Sequence, residues 1–264
     1  MTIYSHSRLS NYKDCPFKFK LKYIDGMDEG TTIEQFLGSK VHEVLHYIYD
    51  KVKSGKTPTL KQVLKYYTNL WKKEYTREIR IVKKDFSARY YFVRGEQLIK
   101  QYYRNHVPFD ENVIALEQEI KIDLDGKGKY LLRGFIDKLI YNKESGNYEI
   151  HDYKTGNWLK SQEELDNDNQ LALYSLGVKE MFSDAEKIDL IWYFLAHEEK
   201  LSSSRTDQQL EKLKEEIINL IKEIESTTEW PAKESTFCRW CGFNTQCPLY
   251  KKQDSFLGRL WKGR

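Results

Sequence analysis

Residues 134–156 read "GFIDKLIYNKESGNYEIHDYKTG", and this stretch decides the architecture. "KYLLRGFIDKLI" (129–140) and "YEIHDYK" (148–154) are rich in apolar, β-branched and aromatic residues, and "KESGN" (143–147) between them carries turn chemistry. They predict two neighbouring strands. Asp137 lies inside the first, while Asp152 and Lys154 close the second. Paired strands run roughly 4.8 Å apart, so the two carboxylates can converge at one edge of a sheet. Lys154 follows Asp152 by two residues and shares its face. Two converging carboxylates suit a hard, oxygen-seeking cation such as Mg²⁺. Such an ion activates water and offsets charge developing on a phosphate, with Lys154 placed to orient either.

Outward from this hairpin, "VIALEQEIKIDL" (113–124) alternates Ile114, Leu116, Ile120, Ile122 and Leu124 with polar residues, a strand signature that ends at the turn "DGKG" (125–128). Farther upstream the period changes to that of helices. Val41, Leu45, Ile48 and Val52 predict a helix over 40–53, and Leu60 to Trp71 predict another, capped by Thr57 or Thr59. A third spans 86–106. Downstream, 168–182 reads as a helix and "KIDLIWYFLA" (187–196) as a buried strand. The clearest helix is 207–225, opened by a Thr206–Gln209 capping box. This order predicts an α/β fold, a small mixed sheet flanked by helices. One domain is expected over 1–264, with a helical region at about 27–110 ahead of the sheet.

The chain has 264 residues, 40% hydrophobic and 14% aromatic, enough for a sizeable core. Its net charge of +3 means that any nucleic-acid surface must be a local patch. No apolar run reaches the roughly 18 residues of a membrane span, and the first residues lack a signal-peptide core, so a reducing cytoplasm is the expectation. Walker-type phosphate loops and internal repeats are absent from the sequence. Residues 71–94 interleave basic and aromatic side chains. Lys83, Lys84, Arg89, Tyr90 and Tyr91 are candidates for contacting a strand, since cations track phosphates and rings stack on bases.

Cys238, Cys241 and Cys247 fall within ten residues, followed by Pro248, and the fourth cysteine, Cys15, lies near the other end. Clustered thiols in a reducing compartment point to metal. A closed Cys₄ site needs a fourth ligand, and Cys15 is the remaining candidate. Spacing alone leaves zinc and [4Fe–4S] both open.

Taken together, these residues resemble a known family. Gly134-x-x-Asp137, Asp152-Tyr153-Lys154-Thr155-Gly156, Gln170-x-x-x-Tyr174 and, upstream, Gly38-x-x-x-His42 resemble the motifs of the RecB-type branch of the PD-(D/E)XK nucleases. The segment "SRLSNYKDCPFKFKLKYI" (7–24) resembles that branch's N-terminal region. The resemblance implies a restriction-endonuclease-like core and a metal-dependent deoxyribonuclease, expected to act as an exonuclease on single-stranded DNA ends. It implies that His42, Asp137, Asp152 and the Tyr153 carbonyl hold Mg²⁺ or Mn²⁺. Lys154 is then the catalytic lysine, and Gln170 and Tyr174 brace the site. Relatives of the AddB type and the CRISPR-associated exonucleases carry one N-terminal and three C-terminal cysteines on a [4Fe–4S] cluster. The likeness therefore tips Cys15, Cys238, Cys241 and Cys247 towards iron–sulfur and implies roles in DNA repair or spacer acquisition. Asp152 stands where many relatives have Glu, a shorter arm towards the ion.

Two rival readings share these residues. A DNA-end-binding subunit of a helicase–nuclease or spacer-acquisition complex would keep the fold and contribute little chemistry. "HEVLH" (42–46) also fits H-E-x-x-H, which would make His42 and His46 zinc ligands and Glu43 the base of a protease. That pattern leaves Asp137, Asp152, Lys154, Gln170 and Tyr174 unexplained. Glu117 and Glu119 on the first strand are expected on a solvated face, or at most linked to the ion through water.

Overall fold

A computed structural model describes residues 2–250. A mixed sheet of six strands forms the middle layer. Its strands are β1 (Ile3–Tyr4), β2 (Val113–Asp123), β3 (Leu131–Tyr141), β4 (Tyr148–Lys154), β5 (Ile188–Phe194) and β6 (Glu199–Ser203). The helices are α1 (His6–Asp14), α2 (Pro16–Phe19), α3 (Ile33–Lys53), α4 (Leu60–Glu74), α5 (Ala88–His106), α6 (Gln162–Asp166), α7 (Asn169–Met181) and α8 (Asp207–Ser226). One apolar cluster packs α1, α7 and α8 against one face of the sheet. A second packs α3, α4 and α5 against the other. Strand β4 is buried on both faces for this reason. Tyr148 and Ile150 enter the first cluster and Tyr153 the second.

The hairpin expected from 129–154 is present, with β3 and β4 antiparallel. Segment β4–α6–α7–β5 is a crossover between parallel strands. Two strands lie beyond the four expected. The two-residue β1 and the polar edge strand β6, "EKLSS", carry too little periodicity to read from sequence. Helix α3 begins at Ile33, seven residues before the expected start. A capping box sets it, with Thr32 Oγ1 accepting from Gln35 N and Gln35 Oε1 from Thr32 N. Thr59 caps α4 and Thr206 caps α8 in the same way.

The feature that positions the site is a fork in the sheet. Strand β3 pairs with β2 along most of its length, but its other edge is shared. Leu131 and Leu132 pair with β1, and only Lys138–Tyr141 pair with β4. The β3–β4 ladder stops at Lys138↔His151. Just past that point the Tyr153 amide donates to Asp137 Oδ2 at 2.9 Å, so a side chain continues the pairing. Asp137, Asp152 and Lys154 all sit at this opening.

Behind it lies a buried polar network. Lys138, 1% exposed, donates to Glu111 Oε2 at 2.6 Å and to the Tyr49 hydroxyl at 3.0 Å. Tyr49 donates to Glu111, so Tyr102 must donate to Tyr49 and Tyr153 to Tyr102, at 2.7 and 3.1 Å. Burial would raise the Glu111 pKa, but the Lys138 ammonium outweighs it and holds the carboxyl at about 2. A carboxylate held below its ordinary value stabilises the fold above pH 4.5 and loses that contribution as pH falls towards 2. Replacing Glu111 with Gln leaves the Lys138 charge unpaired in the interior, at a cost of about 3 kcal/mol near neutral pH. Urea unfolding of Glu111→Gln and wild type across pH should show that gap closing below pH 4.5. A gap independent of pH would contradict the pairing.

Candidate active site

Strand β4 is held from both sides, which fixes Asp152 and Lys154 beside the fork. Lys154 Nζ lies 2.7 Å from Asp152 Oδ2 and donates to Gln170 Oε1 at 3.0 Å. Gln170 Nε2 returns a bond to Asp152 Oδ1 at 2.8 Å, closing a three-residue ring. Gln170 is placed by the start of α7, where the Asp168 side chain caps the helix by accepting from Gln170 N. Burial pulls the Lys154 ammonium towards neutrality, but Asp152 beside it wins and keeps it charged. Burial pushes Asp152 upward and Asp137 adds to that, while Lys154 opposes.

His42 arrives from α3. Its Nε2 donates to the Tyr153 carbonyl at 2.8 Å, and its Nδ1 lies 3.3 Å from Asp137 Oδ2. Burial disfavours the imidazolium, yet Asp137 and, more weakly, Asp152 overcome this and raise the pKa to about 9. The charged ring therefore contacts a carboxylate and a carbonyl, oxygen donors of the kind a divalent ion takes. An ion ligated by this ring must first displace a proton from it. Two carboxylates, one backbone carbonyl and an imidazole suit Mg²⁺ or Mn²⁺, so the residues fit the metal.

The motif glycines have steric reasons. A Cβ on Gly134 would stand 2.3 Å from a Tyr174 ring carbon, so the tyrosine lies flat over that position. A Cβ on Gly38 would press within 3.2 Å of Thr155 Oγ1, where α3 meets the segment after Lys154.

Sequence reasoning left Glu117 and Glu119 on a solvated face, or linked to the ion through water; both are exposed, but their neighbours differ. Glu119 is exposed and 3.8 Å from Arg133 Nε. Glu117 lies between the pairs Leu116↔Lys138 and Gln118↔Ile136, opposite Asp137, with a left-handed backbone (φ 47°). Ligand atoms of His42, Glu117 and Asp137 all lie within 4.8 Å of one another. The signal was legible in retrospect: Glu117 and Asp137 are equidistant from Lys127 in the "DGKG" turn. His46 is outside this grouping.

The basic and aromatic candidates divide. Lys83 and Lys84 are exposed in the segment before α5, and Arg89 and Tyr90 are exposed in its first turn. Tyr91 is 4% exposed and donates to Glu34 at 2.9 Å, so no base reaches its ring. Lys83, Phe86, Tyr90 and Arg94 line a cavity of about 220 Å³ that opens beside Thr155 and Gly156. Tyr90 stacks on Phe86 at 4.2 Å.

All four cysteines line one cavity between the N-terminal helices and the C-terminal segment. Phe17 N donates to Pro231 O, and the amides of Lys18 and Lys233 lie 3.5 Å from Cys15 Sγ. A Cβ on Gly242 would collide with the Glu29 carbonyl, so the Cys241–Gly242 turn sits directly against backbone.

This fork of acids and lysine on a mixed α/β sheet defines a phosphodiester-cleaving class, and the sequence comparison agrees. The chain belongs to the PD-(D/E)XK nuclease superfamily, whose family model matches residues 3–248. It is a nuclease, in a superfamily that works with divalent metals such as Mg²⁺ and Mn²⁺. A crystal structure from Eubacterium rectale, of a protein provisionally assigned as an exonuclease, is similar in fold at 16% identity and TM-score 0.52. The match covers 90% of this chain and 86% of that one. The structure of SSO0001 matches at 20% identity over 61% of this chain and 80% of its own, with a TM-score of 0.36 too low to carry an argument. No curated protein matches the sequence. The protease reading of 42–46 is thereby corrected: His42 groups with Glu117 and Asp137, and the superfamily is that of nucleases. Among the described residues no helix is long and apolar enough to cross a membrane.

The Gly134–Tyr174 contact is testable. Gly134→Ala should overpack the site and cost about 1–3 kcal/mol. Tyr174→Leu in the same chain should recover much of that in thermal unfolding, because the clash is with ring atoms. Additive losses would refute the steric account.

Proposed function

We propose that this nuclease hydrolyses phosphodiester bonds of DNA from single-stranded ends, in the manner of the RecB-like branch. The observation that carries this reading is the convergence of Asp137, Asp152, Lys154, His42 and the Tyr153 carbonyl at the β3–β4 fork. His42, Asp137, Asp152 and Tyr153 O would hold Mg²⁺ or Mn²⁺, which would offset charge on the scissile phosphate and make the attacking water more acidic. Lys154, kept as an ammonium, donates a hydrogen bond to a non-bridging phosphate oxygen as charge builds there. Gln170 keeps Asp152 and Lys154 in register, and Tyr174 closes the floor over Gly134. The water oxygen bonds to phosphorus and gives up one proton to solvent, the bond to the leaving oxygen breaks, and that oxygen takes up one proton from solvent. Lys83, Arg89 and Tyr90 guide the strand past the cavity beside Thr155.

The cysteines hold a [4Fe–4S] cluster that staples the two ends of one domain. Support comes from their shared cavity and from amides near Cys15 and Cys238 sulfurs. Such a protein works in a reducing cytoplasm, in DNA repair or spacer acquisition, alone or beside a helicase.

Anaerobically purified protein should degrade end-labelled single strands only with Mg²⁺ or Mn²⁺. Asp152→Ala and Lys154→Ala should each lose about a thousandfold, equivalent to roughly 4 kcal/mol of barrier. Robust cleavage by Asp152→Ala would sink the mechanism.

Cys15→Ser should lose the brown absorbance near roughly 400 nm and much of the thermal stability, because ligand bonds made in the native state add to folding. A colourless wild type with about one zinc per chain would replace the cluster with zinc, and a metal-free, stable wild type would refute the staple.

A further inference from the structure

The acid and carbonyl of the motif reach Asp137 from β4, one side of β3. Glu117 reaches it from β2, the other side. Resting on the metal site proposed above, we infer that Glu117 is a further carboxylate ligand of the divalent ion held at Asp137.

Three observations carry it. The first is proximity: Glu117, His42 and Asp137 each offer a ligand atom inside a 4.8 Å grouping, whereas Asp152 is drawn into its ring with Lys154 and Gln170. The second is charge. Glu117 stands opposite Asp137 in a group that also holds the His42 ring, and no hydrogen bond from another described residue reaches its carboxylate. A carboxylate facing another carboxylate without a donor is a place for a cation. The third is the contrast with Glu119, two residues on: both side chains are exposed, but Glu119 lies beside Arg133, whereas Glu117 lies in the group with His42 and Asp137. Glu117 drops out of the ladder at its left-handed residue, and this breaks the alternation that would pair it with Glu119. Mg²⁺ and Mn²⁺ take six oxygen or nitrogen ligands and commonly fill several with water, so one more carboxylate replaces a water.

The consequence is an affinity set partly outside the motif. The test is Mn²⁺ binding, followed by loss of the free-ion electron paramagnetic resonance signal, in wild type, Glu117→Gln, Glu119→Gln and Asp137→Asn, without nucleic acid. Asp137→Asn should abolish binding. Glu117→Gln should weaken it by about tenfold or more, since affinity follows the number of charged ligands. Glu119→Gln should match wild type. Thermal unfolding without metal should place Glu117→Gln at or above wild type, because a repulsion has been removed, while its Mn²⁺-induced rise in Tm should shrink. Glu117→Asp, which keeps the charge, should bind between the two. Wild-type Mn²⁺ affinity in Glu117→Gln, with binding lost in Asp137→Asn, would overturn the inference and leave the metal site standing. Wild-type affinity in Asp137→Asn would overturn both.

Discussion

The hydrogen bond from the Tyr153 amide to the Asp137 carboxylate is the constraint on which the site depends. Two antiparallel strands that remained paired would satisfy this amide with a carbonyl and leave no opening. Here the ladder ends at Lys138↔His151, two positions before Tyr153, and an acidic side chain takes the place of the carbonyl. A buried amide cannot go unpaired without cost, so the carboxylate is held in position by backbone physics rather than by its own rotamer preference. The same bond aligns the Tyr153 carbonyl towards His42. One interaction thus sets the spacing of three prospective ligands.

A fork is stable only if something else holds the strands. Strand β4 is secured on its far side by parallel pairing with β5 along its whole length. Its Tyr153 ring is tied through Tyr102 and Tyr49 to Glu111 and Lys138. These charges are buried where a desolvated ion is expensive, and pairing with full hydrogen bonding makes them tolerable. The network spans α3, α5, β3 and β4, so it ties the helix that carries His42 to both strands of the site around one set of bonds. Like charge gathers at the opening itself, at Asp137, Asp152 and Glu117, where a cation would relieve it.

Much of this was legible in the sequence. Apolar period and turn chemistry placed β2, β3 and β4, and β4 matches its expected span of Tyr148–Lys154. The spacing of Asp152 and Lys154 on one strand face followed from the two-residue repeat alone. Helix α8 was read with its cap because Thr-x-x-Gln is a local signal, while for α4 the sequence left Thr57 and Thr59 open and the structure uses Thr59. The start of α3 was missed because Gly38 and Ser39 dilute its pattern. Gly38 is there for the approach of Thr155, a contact with no local signature. Strands β1 and β6 are short edge pieces whose pairing partners, not their own residues, make them strands.

What the sequence determined by itself was the class of elements and the residue types able to hold a metal, since periodicity and side-chain chemistry are local properties. Which of those residues meet was decided by tertiary structure. Tyr91 and Tyr90 are neighbours in a basic, aromatic run, yet helix α5 turns the first into the core and the second to solvent. Glu117 and Glu119 look equivalent along β2, yet one faces Asp137 and the other Arg133. Gly134 reads as a motif letter until the Tyr174 ring of α7 is laid across it. In each case the deciding partner is far away in the chain, and only packing of helices on a forked sheet brings it within a few ångströms.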